Sequence, residues 1–147
     1  MTPVTVKIKM MEDCGDLVPH KAHKDDAAFD VRSRINMDLE PGIPHLVPTG
    51  IFMEFPPGYE AQIRPRSGLA AKHAITIPNS PGTIDAGYRG EVKIIMLNAG
   101  KEPFSIKRGE RIAQMVINKL PEVIIEEVTE LSDSIRGEGG FGSTGKK

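Results

Sequence analysis

The sequence predicts an all-β protein built as a jelly-roll-like β-barrel, and three observations lead to this prediction. The chain contains 16 Ile and 9 Val against 7 Leu, and β-branched side chains fit a pleated strand better than a helix. The 15 Gly and 12 Pro residues fall at short intervals, as turns between strands do. Between these turns the apolar residues alternate or form brief runs, a pattern typical of a sandwich or a jelly-roll barrel.

Six segments have the pattern of strands. In the first, Val4, Val6, Ile8 and Met10 share one face while the residues between them are polar, which is the period of a half-buried strand. The other predicted strands are residues 51–55, 60–63, 91–97, 111–119 and 123–128.

One short helix and one irregular segment complete the predicted organisation. Residues 68–74, with the sequence GLAAKHA, have a helical composition, and Ser67 stands in the N-cap position. Five of the ten residues between Arg136 and Gly145 are glycine, and such a segment cannot supply a buried core. We therefore expect a barrel domain over residues 1–132 and a flexible C-terminal arm over residues 133–147.

Charge and composition exclude several classes of protein. The 19 Lys and Arg residues nearly balance the 20 Asp and Glu residues, whereas a protein that binds nucleic acid through its phosphates is basic. No apolar run approaches the ~20 residues of a membrane helix, and the first ten residues are too polar for a secretory signal. The single cysteine, Cys14, indicates a reducing compartment. We expect a cytoplasmic protein (or a nuclear one in a eukaryote) that binds neither nucleic acid nor membrane.

The segment RPRSGLA at residues 64–70 is a candidate anion site. Ser67, placed after Arg66 and before Gly68 at the start of the predicted helix, would present a hydroxyl, a guanidinium and unpaired backbone N–H groups to one point. Taken alone, the same residues also fit an ordinary capped helix with a surface arginine.

The segment NSPGTIDAGYRGE at residues 79–91 is a candidate base and sugar site. Its two turns, at Pro81-Gly82 and around Ala86-Gly87, predict a hairpin whose backbone could read the edge of a base. Asp85 could act as a general base toward a water molecule, and Tyr88 offers a flat face for a sugar. A surface loop with a solvated aspartate is the alternative for this segment.

Three further features fit the same chemistry. Ser143 and Thr144, among glycines, resemble the groups of a phosphate-cradling loop, and the aromatic Phe141 in that arm would stack on a base, worth ~1–3 kcal/mol. A flexible tail is the alternative for the arm. Asp30 and Gln114 stand among apolar neighbours, although a polar residue on a strand often only faces solvent.

Together and in this order, these stretches resemble the five motifs of the trimeric dUTPase family (deoxyuridine triphosphate nucleotidohydrolases). The motifs in this sequence are the segment around Asp30, PRSGLA, G-x-I-D-x-x-Y-x-G-E, RIAQM and RGxGGFGSTG, and they extend from about Asp26 to Gly145. The resemblance implies a jelly-roll homotrimer whose active sites each draw on three subunits. It also implies hydrolysis of dUTP to dUMP and pyrophosphate by water attack at the α-phosphorus, with Mg²⁺ held by the triphosphate. This reaction keeps uracil out of DNA and supplies dUMP.

The resemblance also assigns roles at the nucleoside end. Asp85 would orient and activate the attacking water and contact the sugar 3′-hydroxyl, and Tyr88 would lie beneath the deoxyribose. Asn79 and the backbone that includes Gly82 and Ile84 would read uracil.

At the phosphate end, the resemblance implies that Arg66, Ser67 and Gly68 bind phosphate and that Gln114 contacts the α-phosphate. Asp30 would support the metal and phosphate region through water, with no protein side chain as a direct ligand of the metal.

The resemblance assigns the C-terminal arm to both ends of the nucleotide. Phe141 would stack on uracil. Arg136, Gly142, Ser143 and Thr144 would hold the β- and γ-phosphates.

One position departs from the family pattern, and two alternative functions compete with the dUTPase assignment. Ala28 stands where the first motif usually has Gly, and its methyl group would restrict a backbone that needed a positive φ. A dCTP deaminase of the same fold is disfavoured because Ile95 occupies the place of its proton-shuttling glutamate. Loss of Asp85 or of the arm would suggest a nucleotide-gated binding or regulatory protein that uses the same pocket, and neither is lost.

Overall fold

Eleven strands and one α-helix form the regular structure of residues 2–146, the part of the chain that the computed structural model describes. The strands are β1 (Lys7–Met10), β2 (Phe29–Arg32), β3 (Met37–Leu39), β4 (His45–Pro48), β5 (Ile51–Glu54), β6 (Tyr59–Arg64), β7 (Ile75–Thr76), β8 (Gly82–Asp85), β9 (Lys93–Asn98), β10 (Phe104–Ile106) and β11 (Arg111–Lys119). A 3-10 turn covers Gly15–Leu17, and helix α1 covers Ser67–His73. The predicted all-β class with one short helix is confirmed.

The strands form four small antiparallel sheets around one core. Their orders are β2-β11-β6-β8, β4-β9-β7, β1-β5 and β10-β3. Strands β2 to β11 each contribute at least one buried apolar side chain to a single cluster, and β1 packs against that cluster with Ile8 and Met10. Two of these sheets have only two strands, which are marginal by themselves, and burial of apolar side chains from every sheet in the shared core stabilises the barrel.

Most of the predicted strands are confirmed, and one is wrong. The alternation along β1 is as predicted, with its lysines exposed and Ile8 and Met10 half-buried. Residues 123–128 lie outside strands and helices, and Val123, Ile124 and Ile125 are 67%, 84% and 88% exposed. A strand needs a hydrogen-bonding partner, and within residues 2–146 this segment has none. The last strand ends at Lys119, so the arm boundary at residue 132 stays a prediction.

Helix α1 begins one residue earlier than predicted, and Ser67 is not its N-cap. Arg66 has an extended backbone (φ −84°, ψ 129°), and its carbonyl accepts the first helical hydrogen bond from the Ala70 N–H at 3.0 Å. Ser67 is therefore the first helical residue. The helix ends at Ala74, which is left-handed with a φ of 55°.

The hairpin predicted for residues 79–91 is also wrong. The segment contains one strand, β8, which pairs with β6, while the following strand β9 belongs to the sheet with β4 and β7. The turn at Ala86-Gly87 does form, and the Tyr88 N–H donates to the Asp85 carbonyl across it at 3.1 Å. The chain then crosses between the two sheets, so β8 and β9 flank a cleft instead of pairing.

A largely buried ion pair fixes the chain where it enters β9. Glu91 Oε2 accepts hydrogen bonds from Arg34 Nε at 2.7 Å and from the Gly50 N–H at 2.9 Å, and Arg34 Nη2 donates to Glu91 Oε1 at 3.3 Å. The Glu91 side chain is only 10% exposed. The hydrogen bonds from Arg34 lower the pKa of Glu91 below its ordinary value of 4.5, although burial acts in the opposite direction.

This lowered pKa predicts a pH-dependent contribution to stability. The charged carboxylate is favoured in the folded state, so its contribution is complete above the ordinary pKa and is lost as the pH falls through the lowered one. Glu91→Gln should therefore have a lower free energy of unfolding than the parent chain at about pH 7, and the difference should shrink below pH 4.5. Urea unfolding at fixed protein concentration measures it, and a difference that stays constant down to acid pH would show that the Glu91 charge does not stabilise the fold.

Candidate active site

One polar pocket lies in the cleft between β8 and β9. This β8 pocket has a volume of about 490 Å³, within the ~300–1,000 Å³ of small-molecule sites. It brings together five of the residues predicted from the sequence, which are Asn79, Gly82, Ile84, Asp85 and Tyr88. The apolar wall includes Ile63, Ile77 and Ile95. The pocket therefore combines an apolar floor with a carboxylate and an aromatic ring at its rim.

All four residues of β8 line this pocket, and they differ in burial. Gly82 and Ile84 are buried, whereas Asp85, the last residue of the strand, is exposed. A Cβ atom at Gly82 would lie 3.2 Å from Ile63 Cβ and 3.6 Å from Asn79 Nδ2. The Gly82 backbone thus packs closely against Ile63, and a larger residue at this position would require Ile63 or β8 to shift.

Tyr88 lies across the turn that follows β8. Its side chain folds back so that its hydroxyl donates to the Glu91 carbonyl at 2.8 Å, and the residue is 48% exposed. A Cβ atom at Gly90 would lie 2.5 Å from the Tyr88 hydroxyl oxygen. Gly90 therefore makes room for this position of the ring.

The second pocket lies beside β2 and holds the predicted residues Asp30, Arg66 and Gln114. This β2 pocket has a volume of about 360 Å³ and shares no lining residue with the β8 pocket. In the sheet, Gln114 on β11 lies opposite both Asp30 on β2 and Arg64 on β6. Directly opposite residues share a face of a sheet, so the pairing register places the Gln114 and Asp30 side chains together.

A β-bulge contributes to this arrangement. The register between β11 and β2 shifts between Arg111 and Ala113, and the consecutive residues Ile112 and Ala113 are both buried. An extra residue in one strand changes which side chains follow on each face. The shift allows Arg111 and Gln114 to line the same pocket.

Arg111 is a site residue that the sequence did not predict, although it is the first residue of the RIAQM motif that contains Gln114. Arg111 Nη1 lies 3.7 Å from Asp30 Oδ2, and Arg66 Nη1 donates to the Arg111 carbonyl at 3.0 Å. Two guanidinium groups thus meet in the β2 pocket, and guanidinium is well suited to bind phosphate. Ser67 and Gly68 are exposed at the start of α1 next to Arg66.

Ala28 lines the β2 pocket and is compatible with its backbone. Ala28 does not have a positive φ. The methyl group that replaces the usual glycine hydrogen therefore causes no left-handed strain.

The C-terminal arm forms turns of its own. Arg136 Nε donates to the Gly139 carbonyl, the Ser143 N–H donates to the Gly140 carbonyl at 3.0 Å, and Phe141 is fully exposed. The predicted contacts of Arg136, Phe141, Gly142, Ser143 and Thr144 with a nucleotide stay predictions.

Residues 2–146 contain neither a protein metal cluster nor a membrane-spanning helix. No group of three or more His, Cys, Asp or Glu side chains is arranged to hold a metal ion in this part of the chain. No helix there has the length and apolar character to cross a membrane.

Comparison with known proteins identifies the family. A family model described as dUTPase matches residues 17–145. The chain belongs to the dUTPase family. The deoxyuridine 5′-triphosphate nucleotidohydrolase of Clostridium acetobutylicum is 56% identical over 144 residues, which cover 98% of this chain and 99% of the relative. That of Clostridium tetani is 53% identical and covers 99% of this chain and 100% of the relative.

Solved structures agree with this family. A dUTPase of Staphylococcus bacteriophage 80alpha with bound dUpNHpp has a TM-score of 0.84 and 31% identity, and the match covers 96% of this chain and 98% of the phage chain. A mutant dUTPase from phage phi11 of S. aureus, with a structural Mg(II) ion, has the same fold with a TM-score of 0.79 and 24% identity, covering 86% of this chain and 97% of the phage chain. The resemblance drawn from the five motifs and the jelly-roll-like fold are both confirmed.

The close packing of Gly82 generates a testable prediction. In Gly82→Ala the added methyl group would lie 3.2 Å from Ile63 Cβ and must shift β8 or Ile63, at a cost of ~1–3 kcal/mol for overpacking. We expect a lower free energy of unfolding in urea and weaker binding of dUpNHpp in calorimetry. Gly87→Ala is the matched control because a Cβ atom there contacts nothing within 4 Å. Equal behaviour of the two variants would contradict the role given to Gly82.

Proposed function

We propose that this chain hydrolyses dUTP to dUMP and pyrophosphate. The observation that carries the proposal is the β8 pocket, where a carboxylate, an aromatic ring and a side-chain amide converge beside an apolar floor. Membership of the dUTPase family supports it, as do the relatives at 50–56% identity that carry this activity in their names.

Asp85 is proposed as the general base. Its exposed carboxylate at the end of β8 accepts a proton from a water molecule, and the water oxygen bonds to the α-phosphorus. The bond from the α-phosphorus to the oxygen that bridges to the β-phosphorus breaks, and pyrophosphate leaves with that oxygen. A positioned base of this kind accelerates a reaction by ~10²–10⁴-fold.

Base and sugar recognition is proposed for the rest of the β8 pocket. The hydroxyl of Tyr88 is engaged with Glu91, so the ring offers its face to the deoxyribose and leaves no room for a 2′-hydroxyl. Asn79 and the backbone of Gly82 and Ile84 would hydrogen-bond uracil. The tight packing at Gly82 would exclude the methyl group of thymine, and cytosine would mismatch donors with acceptors.

Phosphate binding is proposed for the β2 pocket and the start of α1. Arg66 would bind phosphate oxygens together with Ser67 and Gly68, and Gln114 would contact the α-phosphate. These groups offer positive charge and hydrogen-bond donors to the highly charged triphosphate.

Mg²⁺ fits this site as an ion that arrives with the triphosphate. Mg²⁺ usually keeps several waters and binds through one or two carboxylates together with substrate phosphates. Asp30 is a carboxylate at the β2 pocket with a 13% exposed side chain, suited to contact such waters. When bound, the ion would neutralise phosphate charge.

A homotrimer with shared sites is also proposed. The nucleoside groups and the phosphate groups lie in separate pockets of one chain, so a complete site would combine pockets of different subunits. Val123, Ile124, Ile125, Leu131 and Ile135 are exposed apolar residues, and such a segment is stabilised by burial against another chain. The arm that follows would then close over a neighbouring site. With one cysteine, a cytoplasmic location is the natural compartment.

Deamination is the disfavoured alternative of the same fold. Ile95 lines the β8 pocket and can neither donate nor accept a proton. A nucleotide-gated regulatory protein is likewise disfavoured, because Asp85 and the arm are both retained.

The role of Asp85 leads to a direct experiment. Asp85→Asn should lower kcat for pyrophosphate release from dUTP by ~10²–10⁴-fold while its affinity for dUpNHpp stays near that of the parent chain. Asp38→Asn is the control because Asp38 is exposed on β3, outside both pockets. In ¹⁸O-labelled water the label should appear in dUMP. Label in pyrophosphate, or normal turnover by Asp85→Asn, would contradict the proposed mechanism.

A second experiment concerns the arm. Phe141→Ala should raise KM for dUTP by roughly tenfold, because stacking on a base is worth ~1–3 kcal/mol. Deletion of residues 136–147 should lower turnover further and leave the circular dichroism spectrum unchanged, since residues 136–146 lie outside the core. Deletion of residues 146–147 is the control. Full activity without residues 136–147 would disprove the proposed role of the arm.

A further inference from the structure

Glu91 connects the buried framework to the rim of the β8 pocket. Its carboxylate accepts the three hydrogen bonds from Arg34 and Gly50, and its backbone carbonyl accepts the Tyr88 hydroxyl at 2.8 Å. Both sets of contacts belong to one residue. The height of the Tyr88 ring, meaning its position relative to the rest of the β8 pocket, therefore depends on where the Glu91 carboxylate is held.

The carboxylate end of this connection is rigid. The side chains of Arg34 and Glu91 are 27% and 10% exposed, and charge-assisted hydrogen bonds at this burial are short and directional. Gly50 has a φ of 75°, and a Cβ atom there would lie 3.0 Å from Cys14 Sγ. The Gly50 carbonyl also accepts a hydrogen bond from the Met11 N–H at 2.8 Å, so Gly50 is held through both its N–H and its carbonyl.

The chain on the other side of Glu91 is anchored too. The N–H of the next residue, Val92, donates to the Ile51 carbonyl at 2.8 Å. Glu91 is thus fixed both by its side chain and by its C-terminal neighbour in the sequence.

The tyrosine end has much less support. Tyr88 lies on a turn and is 48% exposed. Its backbone has two hydrogen bonds: its N–H donates to the Asp85 carbonyl at 3.1 Å, and its carbonyl accepts from the exposed Arg89 Nη1 at 3.3 Å. The ring lies against Gly90, where a Cβ atom would be 2.5 Å from the Tyr88 hydroxyl oxygen. The hydroxyl contact with Glu91 is the polar contact that holds the far end of the ring.

We propose that Glu91 is a positioning residue for sugar selection, which sets the height of the Tyr88 ring through its ion pair with Arg34 and so favours deoxyribose over ribose. The inference rests on the proposed role of Tyr88 as the platform for the sugar. A ring at fixed height accepts hydrogen at the 2′ position and collides with a hydroxyl there. A ring that can tilt gives weaker contact with deoxyribose and admits ribose.

The readout is the ratio of kcat/KM for dUTP to kcat/KM for UTP. Glu91→Gln keeps the shape of the side chain but loses its charge, and we expect the ratio to fall by roughly tenfold, the effect of one small contact in a pocket. The change should come chiefly from a higher KM for dUTP, with kcat altered less than about threefold. If Glu91 were only structural, both substrates would lose rate in parallel and the ratio would stay constant, which would overturn the proposal.

Further variants test the connection itself. Tyr88→Phe keeps the ring and removes only the hydroxyl contact, so it should lower the ratio as Glu91→Gln does. The double variant should do no more than either single variant, because both break the same connection. Additive losses would overturn the proposal.

Arg34→Lys keeps the positive charge but loses the two-point contact with Glu91, so it should give an intermediate ratio. If Glu91→Gln does not fold, Arg34→Lys and Tyr88→Phe together provide the test.

The matched control uses another ion pair of similar geometry. Arg108 Nη1 and Nη2 donate to the Asp16 carboxylate at 2.8 and 2.9 Å, and neither residue lines the β8 pocket. Asp16→Asn should leave the ratio unchanged, and an equal fall in this control would overturn the specific role of Glu91.

Tyr88→Ala separates failure of this inference from failure of the proposed function. An unchanged ratio in Tyr88→Ala would show that Tyr88 is not the sugar platform, and both ideas would fall. A lower ratio in Tyr88→Ala together with unchanged ratios in Glu91→Gln and Tyr88→Phe would overturn only the role of Glu91.

Discussion

The separation of the polar groups into two pockets is the constraint from which the proposed function follows. Asp85 and Tyr88 lie at the β8 pocket, whereas Arg66 and Gln114 lie at the β2 pocket, and the two pockets have no lining residue in common. The antiparallel pairing of the sheet fixes this separation, since β8 stands at one edge of the β2-β11-β6-β8 sheet and β2 at the other. One chain therefore presents the two pockets at opposite edges of this sheet.

The fold supports each half by different physical means. At the β2 pocket, strand register and a bulge set Gln114 beside Asp30, so the position of the polar groups follows from backbone hydrogen bonds. At the β8 pocket, close glycine packing and the buried pair of Arg34 with Glu91 hold a turn that would otherwise be free. Exposed loops gain a defined geometry only where such contacts anchor them.

The sequence predicted what depends on local pattern. Consecutive residues determine the alternation of β1, the presence of the helix and the family motifs. All three predictions are confirmed. The cap of α1 depends on the backbone of Arg66, which residue types do not reveal, because serine is accepted both as a cap and as a first helical residue. The segment 123–128 has the residue pattern of a strand, but it has no hydrogen-bonding partner within residues 2–146, and that pattern does not reveal whether a partner is present. The position of Arg111 depends on a register shift between distant strands, and no local pattern records it.

Complementation between two damaged chains tests the shared site most directly. Asp85→Asn damages only the β8 pocket and Arg66→Ala only the β2 pocket, so each protein alone should have little dUTP hydrolysis. If each site combines pockets of different subunits, unfolding and refolding an equal mixture should restore about a quarter of the parent activity, because a working site then needs one intact pocket from each kind of chain. A mixture no more active than its two components would show that both pockets of a site belong to one chain, and would contradict the shared site.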